Sequence, residues 1–84
     1  MMLMGSVSSL IASMRRNPTN VRFADLEKVC TATFGEPRRR GGSHIVYKMP
    51  WPGDPRVNIQ DGHGKAKAYQ VKQVLLAVDK LEER

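Results

Sequence analysis

The sequence predicts an α+β fold in which a three-stranded antiparallel sheet packs on helices in two layers. Apolar residues recur at helical spacing near both ends of the chain, whereas apolar and polar residues alternate in its middle. Glycine and proline clusters separate these segments. Helices on one face of a small sheet would bury the apolar residues of both patterns together. With 84 residues, the chain is expected to form a single domain, residues 1–84, around one small core.

The first predicted helix is an N-terminal extension within residues 1–20. Four apolar residues follow the i, i+3, i+4, i+7 spacing of one helical stripe: Val7, Leu10, Ile11 and Met14. Asn17 and Pro18 stop this helix. The core of the domain is then expected in residues 22–84.

A second helix is predicted in the segment "FADLEKVCTATFG", which ends at Gly35 before Pro37. Its apolar residues share one face: Phe23, Leu26, Val29, Cys30 and Phe34. Cys30 is therefore expected in the core and not as a nucleophile. As the chain has one cysteine, it forms no internal disulfide and lacks the cysteine spacing of a metal site.

The middle of the chain predicts three strands. The first is Arg38–Arg40, followed by a turn at Gly41 and Gly42; the second is Ser43–Met49. The loop "PWPGDP" leads to the third strand, Arg56–Gln60. The alternation turns one set of residues toward the helices: Ile45, Tyr47, Met49, Val57 and Ile59. The other set forms an open, basic face: His44, Lys48, Arg56, Asn58 and Gln60.

The last helix is predicted from about Ala66 to Glu83, after the polar connection "DGHGKAKA". Lys65, Lys67 and Lys72 lie at or near its N-terminal end. Positive charges are unfavourable there, because the helix dipole favours anions at that end. Their placement would be explained if an anion binds at this end.

The charge of the chain favours polyanionic partners. Lysine and arginine number 14 against 8 acidic residues, a net charge of +6. Nucleic acid, an acidic protein or an anionic membrane surface would each suit this excess. No segment approaches the ~20 apolar residues of a membrane span, and the opening residues do not resemble a signal peptide. We therefore expect a cytoplasmic protein with no membrane partner.

The segment "GGSHIVYKMP", followed by "RVNI", a connection rich in glycine, histidine and lysine, and a final amphipathic helix, resembles the HicA family. The resemblance extends from about Phe23 to Leu81. It implies an mRNA interferase, the toxin of a toxin–antitoxin system, with a fold like that of double-stranded-RNA-binding domains. It makes His44 the catalytic histidine and Gly42 and Ser43 the residues that position it. The implied partners are mRNA and a HicB-like antitoxin, and no cofactor is implied.

A histidine at position 44 would suit metal-independent cleavage of RNA. The reaction needs a base for the 2′-hydroxyl proton and an acid for the leaving 5′-oxygen, and histidine serves either role near neutral pH. Lys48 on the same strand face, with the arginine strand beside it, would stabilise charge on the phosphate. The alternative is that His44 is an exposed strand residue without chemistry, but its Gly-Ser-His context favours the functional interpretation. His63 is a secondary candidate for the acid–base pair, although an exposed loop histidine is an ordinary feature. We predict no metal site, because His44 and His63 lack a third ligand.

Six basic residues are candidate contacts to RNA phosphates: Arg38, Arg39, Arg40, Lys48, Lys65 and Lys67. The alternative for the arginines is a solvated basic edge strand that prevents aggregation. Trp51 either stacks on a base or packs its loop against the sheet. Two functions compete with a nuclease: an RNA-binding module that uses the same face without cutting, and an adaptor for an acidic protein partner.

Overall fold

The computed structural model describes residues 2–39, 44–49 and 56–83. Within these ranges the chain forms three helices and four strands. In chain order they are α1 (Met2–Arg16), α2 (Phe23–Phe34), β1 (Arg38–Arg39), β2 (His44–Lys48), β3 (Arg56–Gly62), β4 (Lys65–Ala66) and α3 (Ala68–Glu83). The α+β class and the antiparallel sheet are confirmed, whereas Gly41, Gly42, Ser43 and Trp51 lie outside the described residues.

The sheet is an antiparallel meander with the strand order β1-β2-β3-β4. The first three strands are those that the sequence predicts. The two-residue β4 was not predicted, since residues 61–68 read as a polar connection. His63 and Gly64 have φ angles of 57° and 85°, so they form a tight two-residue turn with positive φ at both positions. The Gly64 N–H also donates a 2.6 Å hydrogen bond to Asp61 Oδ1, which fixes the turn.

The core lies between the sheet and the helices. Helices α2 and α3 pack on the sheet, and α1 packs on α2 and α3. The largest fully buried side chains come from all three helices and both long strands: Tyr47, Met14, Leu26, Ile45, Ile59, Val29, Val71 and Val74. Burial of Met14 with them places the end of α1 in the same core. The predicted inward set is confirmed, because Ile45, Tyr47, Met49, Val57 and Ile59 all belong to the core cluster.

Strand β2 is fixed to α2 by Tyr47, whose side chain is fully buried. Its hydroxyl lies 2.9 Å from Thr31 Oγ1 and also donates to the Glu27 carbonyl oxygen at 3.4 Å. The Tyr47 ring contacts the Phe34 ring in a tilted arrangement with centroids 6.3 Å apart. These contacts hold the middle of β2 against the helix layer, so its alternate residues point to the opposite face.

Cys30 is buried in the core, as its place on the apolar stripe of α2 predicts. Burial, with a smaller contribution from nearby Glu27, raises the pKa of its thiol to about 12. The neutral thiol is therefore the stable form, and Cys30 acts as a small apolar residue.

Candidate nucleic-acid interface

The face of the sheet opposite the helices is formed by alternate residues of three neighbouring strands. We call these seven residues the open face: Arg38, His44, Val46, Lys48, Arg56, Asn58 and Gln60. The five residues that the sequence predicts for it are all present, exposed except for the half-buried Gln60. Three of the seven are cations and none is acidic. This surface therefore favours an anionic partner.

The strand register divides the open face into three rows. His44 lies opposite Gln60 at one end, and Lys48 lies opposite Arg56 at the other. Between them, Val46 has Arg38 on one side and Asn58 on the other. The face thus has a histidine end and a cationic end, separated by the length of β2.

His44 is an exposed residue at the start of β2. Its backbone is fixed by pairing with Gln60 of β3, whose own N–H donates to Gln70 Oε1 at 2.8 Å. The strand is therefore anchored on its far side while the imidazole remains accessible. Gly42 and Ser43, which the resemblance assigns to positioning His44, lie outside the described residues.

The cationic end contains a depression of about 120 Å³ lined by Arg38, Val46, Lys48 and Arg56. Val46 forms an apolar floor, since only 8% of its surface is exposed although it does not belong to the main core cluster. Arg56 was placed on this face by the sequence but was not predicted to contact RNA. The strand register puts it opposite Lys48, in the lining of this depression.

Of the three consecutive arginines, Arg38 belongs to the open face. Arg39 pairs with Ile45, a register position that alternates with that of Arg38. Arg40 lies outside the described residues.

The two lysines predicted before the last helix occupy another part of the surface. Lys65 lies in β4, and its Nζ donates a 2.5 Å hydrogen bond to Asn20 Oδ1 in the loop between α1 and α2. Lys67 is exposed, and its carbonyl oxygen accepts the N–H groups of Gln70 and Val71 at the start of α3. Lys67 therefore begins the helix with its backbone and leaves its side chain in solvent.

His63 occupies the exposed tip of the turn between β3 and β4. It follows Gln60 by three positions, which is about 10 Å along an extended strand from the residue paired with His44. Both histidines thus lie toward the same end of the sheet. No three His, Cys, Asp or Glu side chains cluster as metal ligands would among the described residues.

A second depression, of about 270 Å³, lies between α3 and the end of the sheet. Its lining is mostly apolar with two cations: Met49, Arg56, Val57, Gln73, Leu76, Ala77 and Lys80. Leu76 is 69% exposed there.

No model of a known protein family matches the chain, and no curated protein or solved structure matches it either. None of the described helices has the length and apolar character needed to cross a membrane. The function must therefore be argued from the chain's own residues.

Proposed function

We propose that this protein is an endoribonuclease toxin of the HicA type, which cleaves mRNA without a metal and is neutralised by a HicB-like antitoxin. The observation that carries the proposal is the placement of exposed His44 on the same sheet face as Arg38, Lys48 and Arg56. The order of α2, three antiparallel strands and α3 supports the further assignment to folds like that of double-stranded-RNA-binding domains.

The reaction that this face suits is an internal transesterification of RNA. A base removes the proton of a 2′-hydroxyl, and the oxygen attacks the adjacent phosphorus. The bond to the 5′-oxygen then breaks, that oxygen takes a proton, and the products end in a 2′,3′-cyclic phosphate and a 5′-hydroxyl. His44 acts as the base or the acid, and water or a second group supplies the other role.

The cations of the open face contribute electrostatically. A phosphorane carries more negative charge than the phosphodiester, so fixed positive charges stabilise the transition state more than the bound substrate. Arg38 and Lys48 bind the strand through its phosphates. An antitoxin that covers the open face would block both the imidazole and these contacts.

A second function is favoured by one observation. His44 lies opposite Gln60 and not opposite a second acid or base, and none of the seven residues of the open face is a carboxylate. A protein that only binds RNA would need the cations and not the imidazole. The two functions share an interface and differ in whether His44 is required.

The distinguishing experiment compares the unmodified protein with His44→Ala and His44→Gln, purified in parallel. The substrate is an oligonucleotide with one ribonucleotide in an otherwise 2′-O-methyl strand, incubated with a chelator. Cleavage at the ribonucleotide by the unmodified protein alone, with RNA binding retained in both variants, supports the nuclease. If the unmodified protein bound RNA without cleaving it, the protein would be an RNA-binding module and not a nuclease. If His44→Ala cleaved as well as the unmodified protein, His44 would have no part in the mechanism.

The same variants should be induced in growing cells. Growth arrest with loss of mRNA in the unmodified protein, and normal growth with His44→Ala at equal soluble expression, is the expected result. Arrest by both variants would mean that toxicity does not depend on cleavage by His44.

A further inference from the structure

We infer that the depression lined by Arg38, Val46, Lys48 and Arg56 is a binding site for one RNA phosphate, separate from the phosphate cleaved at His44. This inference rests on the proposed function for its ligand, RNA. The site would give the RNA a second fixed contact to the protein, contributed in part by Arg56. Two fixed contacts define the path of the RNA strand along β2.

Three cations from three adjacent strands meet at this site. Lys48 and Arg56 are direct cross-strand neighbours, so their Cβ atoms lie about 5 Å apart. Arg38 pairs with Val46 and is thus the diagonal neighbour of Lys48, at about 7–8 Å. A concave surface with three cations concentrates positive potential where an anion can touch all of them.

The size of the depression selects the ligand. Its volume of about 120 Å³ is well below the roughly 300–1,000 Å³ of sites that enclose a drug-sized molecule. A whole nucleotide does not fit, whereas a phosphate group does. The floor is the side chain of Val46, so the donors come from the rim. Two arginine forks and one ammonium group suit a phosphodiester that passes over the site with its base outside.

The position of the depression sets the distance to the cleaved bond. Along β2, Val46 and Lys48 follow His44 by about 7 Å and about 13 Å. The centre of the site is thus about 10 Å from His44, a span of about one to two nucleotides of extended single strand. A strand that follows β2 can place one phosphate at the cations while another lies at the imidazole. A substrate cut at its terminal linkage, with no phosphate on the cationic side, should therefore be poor.

The test uses the same oligonucleotide with one cleavable ribonucleotide, and replaces single phosphates by uncharged methylphosphonates at successive positions on both sides. We expect cleavage efficiency to fall about tenfold for a replacement one or two linkages from the cut on one side only. The loss should be smaller in Arg56→Gln, which has already lost one of the three cationic contacts to that phosphate. A uniform small loss at every position would overturn the inference even if cleavage depends on His44.

Binding by the His44→Ala protein tests the site without cleavage. Arg56→Gln and Arg38→Gln should each weaken binding of an uncleaved RNA about tenfold, and the slope of log affinity against log salt should fall by about 0.7. Arg16→Gln is the matched control. Arg16 is exposed on α1, so this substitution removes the same charge at a position away from the open face. Equal losses in all three variants would mean general attraction by net charge and no phosphate site. If the unmodified protein binds but does not cleave, selective losses at Arg38 and Arg56 still support the site while the nuclease proposal fails.

Discussion

The backbone N–H of Gln60 donates a 2.8 Å hydrogen bond to the side-chain Oε1 of Gln70. Continuing the β3–β4 register would pair Gln60 with Lys67. The Lys67 carbonyl oxygen instead accepts the N–H groups of Gln70 and Val71 at the start of α3. The Gln70 side chain, only 4% exposed, therefore supplies the acceptor that the strand lost when the chain turned into a helix. This bond ties α3 to the residue opposite His44.

Replacing Gln70 by methionine should destabilise the protein by about 1–3 kcal/mol, because the Gln60 N–H would be left without an acceptor beside the core. Methionine keeps the length and the burial of the side chain, so packing changes little. Urea unfolding measures the loss. Gln73→Met, on an exposed position of the same helix, is the control and should be near neutral. Equal stabilities of the two variants would show that the hydrogen bond contributes nothing.

The faces of β2 were predictable from the sequence because they depend on a local period. Ile45 and Tyr47 alternate with His44 and Lys48, and the structure buries the first pair and exposes the second. Arg56 was predictable as a face residue, but its place beside Lys48 depends on how β2 and β3 pair. That register is set by contacts distant in the chain, which a local pattern does not contain.

The start of α3 shows a different limit. The sequence predicts the helix from about Ala66, whereas it begins at Ala68 and Ala66 belongs to β4. Alanine favours helix, but here the His63–Gly64 turn brings Ala66 alongside Asp61 and its N–H donates to the Val21 carbonyl oxygen. Pairing with two distant segments overrides the local preference.

Stability should fall as the pH rises above about 9, partly because of Cys30. Its thiol has a pKa raised from 9.0 to about 12 in the folded protein, mainly by burial. Between these values the unfolded chain has lost the proton and the folded chain has kept it. Alkali therefore favours unfolding, by up to about 1.4 kcal/mol per pH unit from this group.

Cys30→Ala isolates that contribution. The variant is less stable at pH 7, since it leaves a small cavity, but its stability should decline less steeply between pH 9 and 11. Urea unfolding at several pH values gives both slopes. All other ionisable groups are the same in the two proteins, so the difference between the slopes reports Cys30. Parallel slopes would contradict the raised pKa, as would rapid reaction of the native thiol with a disulfide reagent at pH 8.

His63→Asn should keep the fold and keep RNA cleavage. His63 has a φ angle of 57°, and asparagine before glycine is the preferred pair in a two-residue turn of this kind. We expect stability equal to or a few tenths of a kcal/mol above that of the unmodified protein. The cleavage rate at the single ribonucleotide is the decisive measurement. Loss of cleavage in a stable His63→Asn protein would make His63 the partner of His44 in acid–base catalysis.

Lys48→Gln should weaken RNA binding more than Lys65→Gln. Lys48 lies on the open face in the cationic depression, whereas the Lys65 ammonium group is held by Asn20 at 2.5 Å. Removing Lys65 should instead lower stability by about 0.5–1 kcal/mol, through loss of that hydrogen bond. Fluorescence anisotropy with a labelled single-stranded RNA, at two salt concentrations, measures the affinities.

Lys28→Gln is the control for both lysine variants, because Lys28 is exposed on α2. It removes one positive charge and should cause only the small loss that follows from net charge. If Lys65→Gln reduced affinity as much as Lys48→Gln, and both exceeded Lys28→Gln, RNA would have to contact the β4 edge of the sheet as well. The bound strand would then cross the sheet from β1 to β4 instead of following β2.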